Sequence, residues 1–399
     1  MFDNFLQKIG IWPNDLTQAW KDKTDWIWFH AVSVGEFNAI SPLIELIHNE
    51  KPNYPIMISC TTKAGYSLAK SKTKDEKNMI VFYFPFDIPL IVSSLLKKVS
   101  IKLLIIAETE IWPIVLSSCR LKNIPVVLVN GRISDKSFKS YYLFKFYFKN
   151  IVNLFTEILT QSKRDAEKFI AIGADKEKIK VFSNLKFSTD KKSLVIDKKS
   201  IESIDSEDIT TTKIIFASTH SGEEEIALNL YKKLSNKYPQ LRLIIAPRHL
   251  SRIKEIKALI NKNGYKEITR SSGRKISSKN DIYLLDTIGE LQNFYKRTKI
   301  AVLGGTFAKI GGHNILEPIR ANSYTIIGPN DFKIKELSTI FKDNNAITQV
   351  NSTSELTAKV EEALENTELI NTRITNGKKI IQENENITEQ VAEQIIKYL

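Results

Sequence analysis

The sequence predicts an α/β protein built from two Rossmann-like domains in tandem, and three observations support this prediction. At 399 residues the chain is long enough for two domains that each bury a core. Short apolar runs alternate with polar loops and with segments of helical periodicity, which is typical of βα units around a parallel sheet. The alternation occurs twice, and a segment rich in Ser, Asp, Lys and Thr separates the two series at residues 187–212.

The strands of the first sheet are predicted by seven apolar runs, each followed by a polar loop. The runs are WIWFHA (26–31), PIMIS (55–59), VFYF (81–84), KLLIIA (102–107), PVVLVN (125–130), EILT (157–160) and IKVF (179–182). Five further runs predict the second sheet: KIIFAS (213–218), LRLIIAP (241–247), DIYLLD (281–286), KIAVLGG (299–305) and YTIIG (324–328).

The domain boundaries follow from these two series. We expect an N-terminal Rossmann-like domain over residues 1–190, a joining region over 191–212 and a second Rossmann-like domain over 213–380. From residue 353 onward, charged and apolar residues alternate at helical spacing. We therefore expect a C-terminal helix over 381–399 that packs back on the first domain.

The composition indicates a globular protein with a cytoplasmic location. Apolar residues make up 42% of the chain and charged residues 26%, and no stretch approaches the roughly 20 apolar residues that cross a bilayer. The N-terminus MFDNFLQKIG lacks the layout of a signal peptide. The two cysteines, Cys60 and Cys119, form no metal-binding spacing.

The net charge of +13 raises the question of an acidic partner. The excess is mostly lysine spread along the chain, so a solvated lysine-rich surface explains it as well as an anionic ligand or membrane surface does. The segment SFKSYYLFKFYFKNIVNLF (137–155) interleaves Lys with aromatic residues and suits a membrane surface or an acyl chain. Its alternative is a helix whose aromatic side packs on the sheet.

Ligands of open parallel sheets bind beyond the carboxyl ends of the strands, so the strand-end loops are the candidate sites. Both halves of the chain place polar, glycine-bearing loops there, as two domains facing each other across a cleft would. The loops are SVGE (33–36), TTKAG (61–65), PFD (85–87), ETEIWP (108–113), NGRIS (130–134), STHSGEEE (218–225), PRHLSR (247–252), DTIGEL (286–291), GGTF (304–307) and GGHNILEP (311–318).

The loop GGHNILEP is a candidate nucleotide site. Gly311 and Gly312 would let a ligand approach the backbone, and a helix beginning at His313 or Asn314 would offer N–H groups to a phosphate. Glu317 would then accept hydrogen bonds from a ribose diol. The alternative is a glycine-rich turn capped by Asn314, and the second glycine pair in GGTF favours the nucleotide.

Other loops offer cationic or imidazole groups. Arg248 at a strand end is suited to a phosphate or carboxylate, although a surface arginine is an equal alternative. STHSGEEE has the form of a helix start, which leaves His220 as its candidate ligand contact. The histidines in these loops lack HExxH or comparable spacing, so we expect no metal.

Glu36 in SVGE is a candidate general base, since Gly35 leaves room beside it. A helix N-terminus favours the ionised carboxylate, so we expect its basicity to be lowered unless water is excluded from the site. Glu108 and Glu110 follow a strand but lie two residues apart and would diverge. For these two we expect helix capping or structural hydrogen bonding.

In order and spacing, these loops resemble the 3-deoxy-D-manno-octulosonic acid (Kdo) transferases of lipopolysaccharide biosynthesis. The resemblance covers residues 26–399 and is carried by HAVSVGE, TTKAG, ETEIWP, NGRIS, QSKRDAEKF, SNLKF, ASTHSGEEE, APRH, DTIGELQNFY, GGTF and GGHNILEP. A collinear series of this length is far more specific than any one of its motifs.

The resemblance implies a GT-B fold and an inverting, metal-independent transfer of Kdo from CMP-Kdo to a lipid A precursor, lipid IVA, without a cofactor. Glu36 matches the catalytic base of the family's S-x-G-E motif. The donor would bind residues of the second domain that match the family's motifs: Arg248, Gly289, Glu290, Leu291, Gly304, Gly305, Thr306, Gly311, Gly312, His313, Asn314 and Glu317. Supporting candidates in the matching motifs are Ser33, Gly35, Glu108, Arg132, Lys186 and His220.

Family members usually begin with an apolar anchor, which is not found in the stretch ahead of the first strand here. We therefore expect peripheral contact with the anionic cytoplasmic face of the inner membrane. One alternative keeps the GT-B fold but makes the protein a transferase or epimerase of another nucleotide sugar. A more distant alternative is nucleic-acid binding, which we do not expect because no RRM, KH or helix-turn-helix signature is visible.

Overall fold

A computed structural model describes residues 2–188, 211–274, 276 and 278–399. The chain forms two compact units. The first comprises the described residues up to 188 together with Asn384–Leu399, and the second runs from residue 211 to Glu383. Of the expected joining region, residues 191–210 lie outside the described residues.

The first unit is built on a sheet of seven parallel strands in the order β3-β2-β1-β4-β5-β6-β7. All seven predicted runs form strands, within two residues of the expected bounds. The strands are β1 (Trp26–Ala31), β2 (Ile56–Cys60), β3 (Met79–Tyr83), β4 (Ile101–Ala107), β5 (Val126–Gly131), β6 (Glu157–Thr160) and β7 (Ile179–Val181). Helices cover the sheet because its central strands are buried on both faces.

Several helices of the first unit begin at a side-chain cap. The Thr62 hydroxyl accepts the N–H of Gly65, and the Asp87 carboxylate accepts those of Ile114 and Val115. The helices are α1 (Phe2–Lys8), α2 (Asn14–Asp22), α3 (Val34–Glu50), α4 (Lys63–Lys72), α5 (Pro89–Lys98), α6 (Pro113–Leu121), α7 (Asp135–Leu143), α8 (Lys145–Val152) and α9 (Lys163–Ala171).

The second unit repeats this architecture with seven parallel strands in the order β10-β11-β9-β8-β12-β13-β14. The strands are β8 (Thr212–Thr219), β9 (Leu241–Pro247), β10 (Lys266–Thr269), β11 (Asp281–Leu284), β12 (Ile300–Leu303), β13 (Tyr324–Ile327) and β14 (Ile347–Gln349). The strands β10 and β14 were not predicted. They are short and lie at the two edges of the sheet, where a strand has only one neighbour and needs no long apolar run.

Helices of the second unit are α10 (Glu223–Leu234), α11 (Ile253–Lys262), α12 (Leu291–Tyr295), α13 (Leu316–Arg320), α14 (Lys335–Asp343), α15 (Thr353–Glu365) and α16 (Thr367–Glu383). The last helix of the chain, α17 (Ile387–Ile396), belongs to the first unit. In the described part of the chain, no helix has both the length and the apolar character to cross a membrane.

The C-terminal segment is attached to the first unit by a buried carboxylate. The Gln394 side chain donates to both oxygens of Glu157 at 2.8 Å, and the Tyr398 hydroxyl donates to the same carboxylate at 3.3 Å. The Tyr54 hydroxyl donates to the carbonyl of Leu399 at 2.8 Å. A buried carboxylate needs such partners, so the segment completes the first unit.

Candidate active site

The strand order defines where each sheet places its ligand crevice. In the first sheet the order reverses between β1 and β4, and in the second it reverses between β8 and β12. Chains that leave neighbouring strands at such a point turn to opposite faces and open a crevice. The loops that follow these four strands are SVGE, ETEIWP, STHSGEEE and GGTF, so four of the predicted loops lie at the two switch points.

Glu36 lies in the first turn of α3, and two donors hold its carboxylate. The backbone N–H of Val32 donates to one oxygen at 2.7 Å, and the Ser33 hydroxyl donates to the other at 3.0 Å. A side chain added at Gly35 would meet only the Ser33 hydroxyl, at 3.8 Å. The carboxylate is therefore fixed in place, and the neighbouring position Gly35 leaves open space where a side chain would lie.

Burial raises the pKa of Glu36 to about 7, and the charge of Glu108 acts in the same direction. The hydrogen bonds from Val32 and Ser33 and the charge of Arg132 oppose this rise without cancelling it. The helix N-terminus was expected to lower the basicity of Glu36 unless water is excluded, and burial of the carboxylate meets that exception. Loss of hydration outweighs the favourable N–H groups at this position.

Glu108 is buried and has a left-handed backbone, with φ of 57°. Its carboxylate accepts from Arg132 Nε at 2.9 Å and pairs with Lys186 Nζ at 3.5 Å. The structural hydrogen bonding expected for Glu108 is thus present, while α6 is capped by Asp87 instead. The supporting candidates Arg132 and Lys186 are brought together on one carboxylate.

Glu110 belongs to the same electrostatic cluster. Burial, with smaller contributions from the charges of Glu36 and Glu108, raises its pKa to about 7. Three carboxylates therefore influence one another at this edge of the sheet, two of them with pKa values near neutrality. Such a cluster is typical of a site that exchanges protons with a ligand.

In the second unit the GGTF loop is folded around a carboxylate of the protein itself. Glu223, buried at the start of α10, accepts from the N–H groups of His220 and Gly305 at 2.8 Å. It also accepts from those of Phe307 at 3.0 Å and Ala308 at 3.1 Å. These donors could bind a phosphate, but they are already used by Glu223.

Gly304 and Thr306 also have structural roles. A side chain at Gly304 would lie 2.3 Å from the carbonyl oxygen of Ser218, so only glycine fits there. The buried Thr306 hydroxyl donates to the Leu303 carbonyl and accepts the N–H of Gly328. The Gly305 N–H serves Glu223, so the structure gives this predicted donor-binding loop a supporting role.

The loop GGHNILEP also differs from its expected form. Both Gly311 and Gly312 have left-handed backbones and donate their N–H groups to the carbonyl of Gly305 at 2.9 Å. The helix α13 begins at Leu316 rather than at His313 or Asn314 and has only five residues. The helix start expected at His313 or Asn314 is therefore wrong, because the glycines turn the chain back on GGTF.

The side chains at the end of this loop hold Glu317, the carboxylate that was expected to accept hydrogen bonds from a ribose diol. The Asn314 amide accepts the N–H of Leu316 and donates to Glu317 Oε1, both at 3.0 Å. Glu317 is thus held by Asn314 at the start of α13, half-buried. A ribose diol would find here a fixed carboxylate oxygen and an amide.

Three histidines meet at the ends of β8, β9 and the GGHNILEP loop. His220 Nε2 and His313 Nε2 lie 2.8 Å apart, and their rings are stacked with planes at 6°. The ring of His249 lies 5.6 Å from that of His220. Arg248, His249 and Lys333 are exposed around this pair.

Burial, with smaller contributions from nearby His220, Arg248 and Lys333, lowers the pKa of His313 to about 4. Burial also lowers the pKa of His220. Within the described ranges, no group of three or more His, Cys, Asp or Glu side chains is arranged to hold a metal ion.

The last predicted donor-binding loop surrounds Gly289, Glu290 and Leu291. The Glu290 carboxylate pairs with Arg270, whose Nη2 lies 2.8 Å from Oε1, and it also accepts from the Thr287 hydroxyl. Gly289 has φ of 87° with open space where a side chain would lie, and Leu291 begins α12. Glu290 therefore positions the loop through Arg270, and Gly289 presents its backbone to solvent.

Sequence reasoning missed four residues of these sites. Glu223 was interpreted only as part of an acidic helix start, and nothing local shows that it reaches a loop 82 residues later. Asp87 was noted only as part of the loop PFD, and Arg270 and Lys333 carry no motif, since the groups they act on are likewise distant in the sequence. Only the spatial arrangement reveals them.

Two parallel sheets with polar loops at both switch points define an α/β protein of the GT-B type, with two Rossmann-like domains. A UDP-GlcNAc 2-epimerase from Neisseria meningitidis, solved bound to UDP-GlcNAc, matches this fold with a TM-score of 0.61. The match covers 94% of this chain and 100% of that one at 12% identity, which shows the fold alone. The predicted fold class is thereby confirmed.

The sequence relatives give the family. Residues 3–189 match the family model described as 3-Deoxy-D-manno-octulosonic-acid transferase (kdotransferase). A 3-deoxy-D-manno-octulosonic acid transferase from Haemophilus influenzae is 30% identical over 94% of this chain and 87% of that protein. The chain belongs to the 3-deoxy-D-manno-octulosonic acid transferase family, and the predicted resemblance is confirmed.

A second relative differs in length. The bifunctional glycosyltransferase/methyltransferase of Fusobacterium nucleatum is 37% identical over 320 residues, which is 78% of this chain. The chain spans about half of that relative, 49% of its length.

Proposed function

We propose that this protein transfers Kdo from CMP-Kdo to a sugar hydroxyl of a phosphorylated lipid A precursor such as lipid IVA, with inversion and without a metal ion. Family membership supports the identity of the transferred sugar. The observation that carries the chemistry is Glu36, a fixed carboxylate whose pKa is raised to about 7. A base of this pKa is substantially ionised at neutral pH and still strong enough to accept a proton.

In the proposed reaction, Glu36 accepts the proton of the acceptor hydroxyl as its oxygen attacks the anomeric carbon of Kdo. The bond from that carbon to the CMP phosphate oxygen breaks, and the electron pair leaves with CMP. Attack from the face opposite the leaving group inverts the anomeric centre. No covalent sugar–enzyme intermediate is needed, so a single carboxylate base is sufficient.

Positively charged side chains of both units complement the negative charge of the substrates. In the first unit, Arg132 and Lys186 lie on Glu108. In the second unit, Arg248 and Lys333 surround the histidine pair. We assign the first pair to the phosphorylated acceptor and the second to the phosphate and carboxylate of CMP-Kdo, because each substrate carries negative charge that these groups complement.

The acceptor would also contact the aromatic surface formed by residues 138–148 of α7 and α8. Phe138 and Tyr141 pack against the core of the first unit. For these two residues the alternative interpretation, a helix whose aromatic side packs on the sheet, therefore holds. Five other large side chains of this surface are exposed: Tyr142, Leu143, Phe144, Phe146 and Tyr147. An acyl chain or a lipid surface would cover them.

This aromatic surface adjoins the carboxylate cluster. The charge of Glu110 acts on Tyr141 and, together with burial, raises the pKa of that phenol. Glu110 in turn interacts with Glu36. An amphiphile could thus place its sugar hydroxyl at Glu36 and its acyl chains on α7 and α8, which supports peripheral contact with the cytoplasmic face of the inner membrane.

The test is an assay of purified protein with CMP-Kdo and lipid IVA, read by mass spectrometry and by NMR of the new anomeric centre. We expect one or more Kdo residues on the lipid with inverted configuration, and an unchanged rate after treatment with a chelator. Transfer of another sugar, retention of configuration or loss of activity with the chelator would contradict the corresponding part of the proposal.

A further inference from the structure

The histidine pair of the second unit has a property that neither partner has alone. An imidazole nitrogen either donates or accepts, so the 2.8 Å contact between His220 Nε2 and His313 Nε2 requires one to carry the proton and the other to offer its lone pair. A proton on both Nε2 atoms at once would place two N–H groups against each other. The hydrogen bond between the two rings therefore forms only while a single proton lies between these nitrogens.

The surroundings keep this pair neutral until an anion arrives. Two acidic groups face His220 from α10, but Glu223 is held by backbone N–H groups and Glu224 by Arg252 in a bidentate ion pair. From the other side, Arg248, His249 and Lys333 bring positive charge. Among the residues that the structure describes, neither Arg248 nor Lys333 forms an ion pair, so their charge is left uncompensated at an open site.

We propose that His220 and His313 form a proton-linked anion site, in which an oxygen of the donor's phosphate or carboxylate replaces their mutual hydrogen bond and one imidazole takes up a proton. This inference rests on the proposed donor, CMP-Kdo, and adds the mechanism by which its negative charge is recognised. Arg248 and Lys333 draw the anion to the pair, and the newly formed imidazolium gives it a charge-assisted hydrogen bond.

The sign of the pH dependence follows from the exchange. Without a ligand, burial and the neighbouring cations lower the pKa of both histidines. A bound anion raises the pKa of the imidazole it contacts, so binding takes up a proton. Affinity for the anion therefore increases as pH falls through the window between the lowered and the raised pKa, and it decreases as pH rises through it.

The experiment follows the five histidines of the whole chain by NMR of their Cε1–H groups as a function of pH, after isotope labelling of histidine. Single substitutions assign the signals. We expect His220 and His313 to titrate below the ordinary value in the free protein. Saturating CMP should raise the midpoint of at least one of them by about 1 to 3 pH units, and cytidine, which lacks the phosphate, should not.

Variants test the same site by affinity. We expect His313→Asn to weaken CMP binding in calorimetry about tenfold at pH 6, as loss of one charge-assisted hydrogen bond would, and to abolish its pH dependence. The matched control is His48→Asn, because His48 lies in the first unit beside Glu76 and should change neither property.

The outcomes separate this inference from the proposed function. Bound CMP that leaves both titrations unchanged, or an equal shift caused by cytidine, would overturn the anion site while leaving the donor intact. If CMP does not bind, the donor assignment fails, and inorganic phosphate then decides the inference. A raised midpoint with phosphate would support the site, and unchanged midpoints would refute it.

Discussion

Glu36 lies in the first turn of α3, where free N–H groups favour an ionised carboxylate, yet burial raises its pKa to about 7. The motif SVGE predicted a carboxylate at a helix start, but the sequence left open whether water is excluded from it. A motif shows which groups are neighbours along the chain. It does not show how much water the fold removes, and here that removal decides the pKa.

The raised pKa of Glu36 makes a prediction about stability. The ordinary value is 4.5, so ionisation costs the folded state increasingly as pH rises from about 4.5 through about 7. Glu36→Gln removes this cost. We expect it to increase the free energy of unfolding by up to about 3 kcal/mol at pH 8.5 and by about 1 kcal/mol at pH 5, measured by chemical denaturation.

The control for this prediction is Glu50→Gln at the exposed C-terminal end of the same helix, which should show no comparable pH dependence. A gain for Glu36→Gln that is equal at both pH values would mean that the carboxylate is not destabilised by burial. A loss of stability at pH 8.5 would mean that the hydrogen bonds to Val32 and Ser33 dominate instead.

At the scale of elements, predictions from the sequence succeeded where an element is buried and failed where it depends on a distant partner. The apolar run of β4 is visible because both faces of that strand are covered. The loop GGTF was interpreted as part of a nucleotide site because nothing nearby shows that Glu223 occupies its N–H groups. Helix α13 begins later than predicted because Gly311 and Gly312 donate hydrogen bonds to the Gly305 carbonyl, which the local sequence does not show either.

The exposed aromatic surface of α7 and α8 gives a prediction of membrane binding. Leu143 is 72% and Phe146 is 76% exposed, so replacing both by Ser should leave the fold intact. Each side chain would bury apolar area in a lipid surface, and we expect each loss to weaken binding about tenfold. The measurement is sedimentation with vesicles that contain phosphatidylglycerol.

Leu121→Ser is the matched control, because Leu121 is 85% exposed at the C-terminal end of α6, away from the strand-end loops. This variant should bind vesicles like the unchanged protein. Equal binding by the Leu143→Ser, Phe146→Ser protein would exclude α7 and α8 from the contact.

For the whole molecule, the sequence predicted two sheets of the same kind, and the structure has two seven-stranded parallel sheets with switch points between β1 and β4 and between β8 and β12. The architecture was predictable because each βα unit repeats the same apolar pattern. Which residues form each site was harder to predict. One expected group does converge in the first unit: Glu36, Glu108, Arg132 and Lys186. The histidine pair of the second unit depends on a side-chain contact between residues 93 positions apart. Family membership accounts for the transferred sugar but not for how these groups act.

The most direct measurement is the rate of Kdo transfer from CMP-Kdo to lipid IVA by Glu36→Gln at pH 8, with folding verified by circular dichroism. The amide keeps the shape of the side chain but cannot accept the proton of the acceptor hydroxyl. The account predicts a rate at least about 100-fold below that of the unchanged protein. Full transfer by the folded variant would contradict the assignment of Glu36 as the general base.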